Sequence, residues 1–286
     1  MKQIDTEEFK KIELDILNDV AKFCDENGLR YYLGAGTLIG AVRHKGFIPW
    51  DDDIDIIMPR PDYLKFMDLY NKREDKRYTV HSIFNDPYFW RVFGQVFDNR
   101  TMMYEESLND KYANHPIAID VFPMDGVSEN RMVMRLASLI QKILHVLYYS
   151  AVMSYRPSKH FSNKAGGLTA VKNRVRTGMK YVAITIFSKV PAQKTIRLIN
   201  KIAMRWKFED AKHVAEYTEM TYGIFRQINK KSDFEDFAIG EFEGYRFHIP
   251  IGYDAYLRNL YGEYMKLPPV EKRVSIHSFS GYWTEN

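Results

Sequence analysis

Asp53 and Asp55 stand two residues apart in Asp51-Asp52-Asp53-Ile54-Asp55-Ile56-Ile57-Met58, where polar and apolar residues alternate from Asp53 onward. Such alternation predicts a strand, and side chains at i and i+2 of a strand share a face. Two carboxylates side by side repel each other unless a cation lies between them. Hard oxygen ligands suit Mg²⁺ or Mn²⁺. Asp120, in Ala118-Ile119-Asp120-Val121-Phe122, is a lone charge inside a second apolar run. A charge there is rarely buried unless paired or metal-bound, so Asp120 is a third candidate ligand; a salt bridge to Arg91 or Arg100 is the ordinary alternative. For the aspartate run itself the ordinary alternative is a solvated acidic turn. A calcium loop is rejected. Asp51, Asp53 and Asp55 mimic positions 1, 3 and 5 of an EF-hand, but Ile56 takes the glycine position and Asp62 the place of the final glutamate.

Upstream, Gly34-Ala35-Gly36-Thr37 precedes a short apolar segment that reads as a helix, with Thr37 as its cap. Small residues let a backbone approach a phosphate, and free N–H groups at a helix start can bind it. Arg43, His44 and Lys45 follow as a cationic cluster suited to a polyphosphate. Their ordinary reading is an exposed helix end, where the dipole favours cations.

The elements that must position these groups are legible in outline. Asp5 can cap a first helix, with Glu8 as its box partner; Phe9, Ile12, Ile16, Val20 and Phe23 recur at helical spacing, and Gly28 is a stop. Tyr31 to Leu33 reads as a short strand. A strand from Asp53 is closed by Pro59 and Pro61, and Asp62 to Tyr70 reads as a helix. Further strands are expected over Tyr78–Ile83, Phe89–Phe97 and Ile117–Phe122. Mixed helix and strand in the first 125 residues argue for an α/β or α+β sheet domain. The expected division is 1–127 as the catalytic core, 128–210 as a basic amphipathic helical region, and 211–286 as a C-terminal segment packing back on the core.

The 286 residues suffice for one large domain or two modest ones, and their 45% hydrophobic and 27% charged composition excludes a disordered chain or a collagen. Cys24 is the only cysteine, which excludes an intramolecular disulfide and a cysteine-rich zinc cluster. The N-terminal MKQIDTEEFKKIE lacks the apolar core of a signal peptide, and no run is apolar enough to suggest a spanning helix. Charge is uneven: residues 131–207 hold 16 Lys/Arg and no Asp or Glu, so a whole-chain charge of +4 leaves −12 on the remainder. Cations there interleave with apolar clusters, as in Leu136, Leu139-Ile140 and Ile143-Leu144, and again in Tyr181 to Phe187 between Lys180 and Lys189. The pattern predicts an interfacial surface on an anionic membrane. A helical subdomain neutralising the acidic remainder is the plainer alternative.

The run from Gly36 through Arg43-His44-Lys45-Gly46-Phe47-Ile48-Pro49-Trp50 to Ile56 closely resembles the signature of the LicD family. So do Asp120-Val121-Phe122-Pro123 with Asp125-Gly126, and the tail from Phe247 to Arg273, including Pro250-Ile251-Gly252-Tyr253-Asp254 and Leu267-Pro268-Pro269. The resemblance covers residues 5–125 and 240–280 and implies a nucleotidyltransferase-like mixed sheet with the basic region inserted. It implies transfer of a phospho-alcohol: phosphocholine from CDP-choline to teichoic acid or lipopolysaccharide sugars, or ribitol phosphate from a CDP donor as in the fukutin group. By position, Asp53, Asp55 and Asp120 match the metal ligands, with Asp51 as a further candidate. Gly36, Thr37, Arg43, His44 and Lys45 are the expected nucleotide or phosphate contacts. If the alcohol is choline, Tyr31, Tyr32, Tyr88 and Trp90 are candidates for an aromatic cage, with core packing as their default role. Expected partners are CDP-choline or another CDP-alcohol, such as CDP-glycerol or CDP-ribitol, a lipid-linked glycan acceptor and an anionic membrane surface. The expected location is cytoplasmic, peripheral on the inner face of the cell membrane. Nucleic acid is not expected. A non-catalytic membrane scaffold keeping the fold is the reading from another class.

Overall fold

The computed structural model describes residues 2–154, 178, 182, 185–219, 223–273 and 279–284. Helix α1, Thr6–Glu26, begins where Asp5 accepts from the Glu8 amide at 2.8 Å. Glu8 does not complete the box: its carboxylate binds Lys2 and the Trp283 indole. The Phe9–Val20 stripe is buried, and Gly28 takes φ +61°, a left-handed turn open to glycine.

One mixed sheet carries the site. Its long strand is Ala118–Gly126; before it come β1 (Gln3–Ile4), β2 (Tyr32–Leu33), β3 (Asp55–Pro59), β4 (Tyr78–His81), β5 (Gly94–Asp98), β6 (Thr101–Glu105) and β7 (Asn114–His115), making it β8. β8 runs parallel to β3 and antiparallel to β5; β2 flanks β3 and β4 flanks β5. At the C-terminal end of β8, β9 (His213–Ala215) and then β10 (Asn229–Lys230) join antiparallel. A second sheet has the order β1-β13-β6-β7, where β13 is Phe279–Trp283. The tail also forms the hairpin β11 (Phe237–Phe242) and β12 (Tyr245–Pro250). Its two loop residues, Glu243 and Gly244, both take positive φ, as a type I′ turn requires.

Helices complete the mixed α/β architecture. α2 (Ala35–Ile39) continues as a π-turn over Gly40–His44, α3 is Arg60–Leu69, α4 is Arg131–Val152 and α5 is Ala192–Ala203. Two more lie in the tail: α6 (Ile224–Gln227) and α7 (Tyr253–Tyr261). One buried cluster draws on α1, β3, β8, α3, Leu144 of α4, Ile196 and Ile199 of α5, and Phe247 and Leu257 of the tail. Arg60 locks three of these elements: its guanidinium grips both oxygens of Asp125 on β8 at 2.8 and 2.6 Å and reaches Asn200 of α5 at 3.1 Å.

Some expected boundaries move. Strand pairing along Asp51–Met58 starts at Asp55, where the parallel ladder with β8 begins opposite Asp120, two residues after the alternation does. Phe89 to Phe93 do not extend β5. Val92 and Phe93 are buried, but the ladder with β8 begins only at Gly94, opposite Val121. Among the described residues no helix is long and apolar enough to cross a membrane. The breaks expected at Pro157 and Gly166-Gly167, and most of the Tyr181–Phe187 run, lie outside the described residues.

Candidate active site

Asp55 and Asp120 are direct cross-strand neighbours on parallel β3 and β8, and Gln95 of β5 stands opposite Asp120 on the other side. The row is held by the backbone: the Asp120 amide donates to the Ile54 carbonyl at 2.9 Å, and the Gly34 amide to the Asp55 carbonyl at 2.9 Å. Ile54 and Ile56 are fully buried, while Asp53, Asp55 and Asp120 are half-buried, so the alternation read from the sequence reaches back to Asp53 ahead of the strand. Gln95 Nε2 donates to Asp120 Oδ1 at 2.8 Å. The salt bridges offered as an alternative for Asp120 go elsewhere: Arg91 pairs with Glu105 at 2.5 Å and Arg100 with Asp98 at 2.6 Å.

Burial and like charge load this face. The Asp55 carboxyl is pushed well above its ordinary range by burial, then by Asp53, Asp120, Asp51 and Glu216. Two glutamates unseen in the sequence are buried beside it. Glu13 of α1 is buried, and its Oε2 has no hydrogen-bond partner. Desolvation, followed by Asp53, Asp52, Asp120 and Asp55, raises its pKa well above normal. Glu216, following β9, is buried and raised to about 7 by desolvation, while the Tyr256 hydroxyl donating at 2.8 Å opposes the rise. Among the described residues no three His, Cys, Asp or Glu side chains converge as a ready ligand set. The donor chemistry nonetheless fits a hard divalent cation, since oxygen donors share one face and crowding by like charge raises the carboxyl pKa.

The glycine turn is fastened to this row. Gly34, not Thr37, is the cap residue of α2. Thr37 lies buried inside the helix, where its hydroxyl accepts from the Asp55 amide at 2.8 Å. A threonine cap was the wrong expectation because β3 offers that hydroxyl an unpaired amide at the strand's start. Gly36 is needed for close approach: a Cβ there would lie 2.5 Å from Asp51 Oδ2.

The tail clamps the same turn. The Ala35 amide donates to Tyr256 Oη at 3.3 Å, the Glu243 amide to the Lys45 carbonyl at 2.9 Å, and the Phe47 amide to Glu243 Oε1 at 3.0 Å. Arg43 Nη1 donates to the Tyr264 carbonyl, and its Nε to His44 Nε2 at 2.9 Å. Burial and the Arg43 charge lower the His44 pKa, so His44 is an acceptor here rather than the third cation of a cluster. Lys45 is exposed, at a left-handed φ of +60°.

Of the four aromatic residues named for a cage, three have packing partners of their own. Tyr31 is buried against His248 with ring centroids 4.8 Å apart, and Tyr32 is buried with its hydroxyl on the Phe234 carbonyl at 2.6 Å. Trp90 stacks on Tyr112, and Tyr88 is exposed. Packing accounts for three of them. Two surface clefts, one along Glu209–His213 and Lys230–Glu235 and the other beside α1 at Phe47 and Glu243, include none of the aspartates of the cluster.

The profile described as "LicD/FKTN/FKRP, nucleotidyltransferase domain" matches residues 28–138, which hold the turn, the aspartate run and β8. The lipopolysaccharide cholinephosphotransferase LicD of Haemophilus influenzae is 30% identical over 286 residues, covering 99% of each chain. The uncharacterized protein RP689 of Rickettsia prowazekii is 37% identical over 65 residues, 23% of this chain and 24% of its own.

Proposed function

This chain belongs to the LicD/FKTN/FKRP family, and from that premise we propose that it transfers phosphocholine from CDP-choline to a sugar hydroxyl of a cell-envelope glycan. The observation that carries the proposal is full-length similarity to a cholinephosphotransferase combined with the registered Asp55–Asp120 pair. A sugar hydroxyl oxygen attacks the phosphorus that bears choline. One P–O bond forms, the pyrophosphate P–O bond breaks, CMP leaves, and the hydroxyl proton passes to a carboxylate of the cluster. Asp53, Asp55 and Asp120, with Asp51 at their side, would hold Mg²⁺ or Mn²⁺. Bound there, the ion would offset charge on the pyrophosphate and the departing CMP. Gln95 orients Asp120, Thr37 fixes the backbone at Asp55, and exposed Lys45 is the cation free to meet phosphate oxygens.

The burial of Tyr31 and Tyr32 and the stacking of Trp90 on Tyr112 favour one second reading: a CDP-alcohol without a quaternary ammonium, such as CDP-glycerol or CDP-ribitol. Incubation with each of the three donors and Mg²⁺, with CMP release as readout, decides between them. Preference for CDP-choline supports the first reading, and indifference to it overturns that choice of alcohol.

A further inference from the structure

Helix α4 has two apolar faces. One, with Met134, Leu144 and Tyr148, is buried against the protein. The other faces outward. Met132, Leu136, Leu139 and Ile143 are each more than half exposed, and Ile140 and Val146 are exposed beside them. At about 100° per residue these six form one stripe, about 21 Å long at about 1.5 Å rise. Arg131, Arg135 and Lys142 follow one edge of it, four and seven residues apart. The helix contains no acidic residue.

α5 packs along α4, where Gln141 donates to the Ile199 carbonyl at 3.2 Å. It buries Ile196 and Ile199 and turns Lys194, Arg197 and Lys201 to solvent, again with no acidic residue. The helix pair thus presents an apolar stripe with cations alongside and no compensating anion on either helix.

We propose that this face seats the protein on an anionic lipid bilayer, with the α4 stripe in the acyl–headgroup boundary and the flanking cations among the headgroups. The inference stands independently of the choice of alcohol and of the transfer chemistry. Charge selects the occupant. A second copy laid antiparallel on the stripe would bring cation row against cation row, and a parallel one would bring no anion to either. The chain's own residues 155–184 carry seven Lys/Arg and no Asp or Glu, so they offer the cation row no opposite charge. An anionic membrane offers apolar depth and opposite charge together.

The test uses the full chain and co-sedimentation with phosphatidylcholine vesicles, with and without phosphatidylglycerol. Binding is expected only with phosphatidylglycerol, falling steeply with added salt as surface charges are screened. Leu139→Ser with Ile143→Ser should cut binding at least tenfold, while unchanged circular dichroism and melting temperature show an intact fold. Arg135→Gln and Lys142→Gln should each cost about fivefold, the equivalent of about 1 kcal/mol per cation. Two results overturn the proposal: no binding to anionic vesicles at low salt, or a wild-type dimer in sedimentation that the Leu139/Ile143 variant disperses without any change in vesicle binding.

Discussion

Glu216→Gln isolates one buried proton. Glu216 is 7% exposed, and burial raises its carboxyl from 4.5 to about 7. The folded chain therefore holds this proton more tightly than the unfolded chain does. Stability from this group is complete below about pH 4.5, falls between about 4.5 and 7, and is gone above about 7. A shift of roughly 2.5 units at about 1.36 kcal/mol each sets an upper bound of about 3 kcal/mol. Glutamine keeps an oxygen to accept from the Tyr256 hydroxyl but does not titrate. Urea unfolding of wild type and variant in EDTA, at intervals from pH 4.5 to 8, gives the difference directly. Wild type should lose up to about 3 kcal/mol relative to Glu216→Gln across that range. EDTA matters because a bound cation would lower every carboxyl in the cluster. Parallel pH profiles for the two proteins would refute the assignment of a near-neutral proton to Glu216.

Asp55→Asn and Asp120→Asn should each lower transfer at least ~10²-fold while leaving the fold intact, since each removes one of several crowded charges; initial rates and EDTA melting curves check both halves. Gly36→Ala should weaken Mn²⁺ binding by calorimetry, because its Cβ would displace the Asp51 carboxylate from 2.5 Å away. Arg43→Ala should cost about 1.5–3 kcal/mol of stability in urea, through the lost bond to the Tyr264 carbonyl. Lys45→Ala should leave stability unchanged and raise the KM for the CDP donor; the reverse pattern would return phosphate binding to Arg43.

The aspartate row was legible because its signal is local. Alternation around Asp53 and Asp55, and a charge stranded in the Ala118–Phe122 run, both survive in a linear reading. The Glu13 signal was present but passed over: it is a carboxylate within the buried stripe of α1, four residues from Phe9 and from Leu17. Glu216 had no such signal. Its burial depends on β9 joining β8 and on Tyr256 arriving from α7, contacts that span the chain. The second sheet was hidden for the same reason, since two-residue β1 pairs with β13 at the far end of the sequence. The phosphate cluster was over-read. Arg43 and His44 look cationic side by side, but packing turns Arg43 onto the tail and makes His44 its acceptor.

Which half of the donor moves defines the chemistry, and a doubly labelled substrate reads it out. CDP-choline carrying one label in choline and another in cytidine is incubated with the protein, Mg²⁺ and an envelope glycan fraction that lacks phosphocholine. Phosphocholine transfer places the choline label in the glycan and leaves the cytidine label in free CMP, in equal amounts. Cytidine label in the glycan, or no metal-dependent incorporation of choline, would contradict the account.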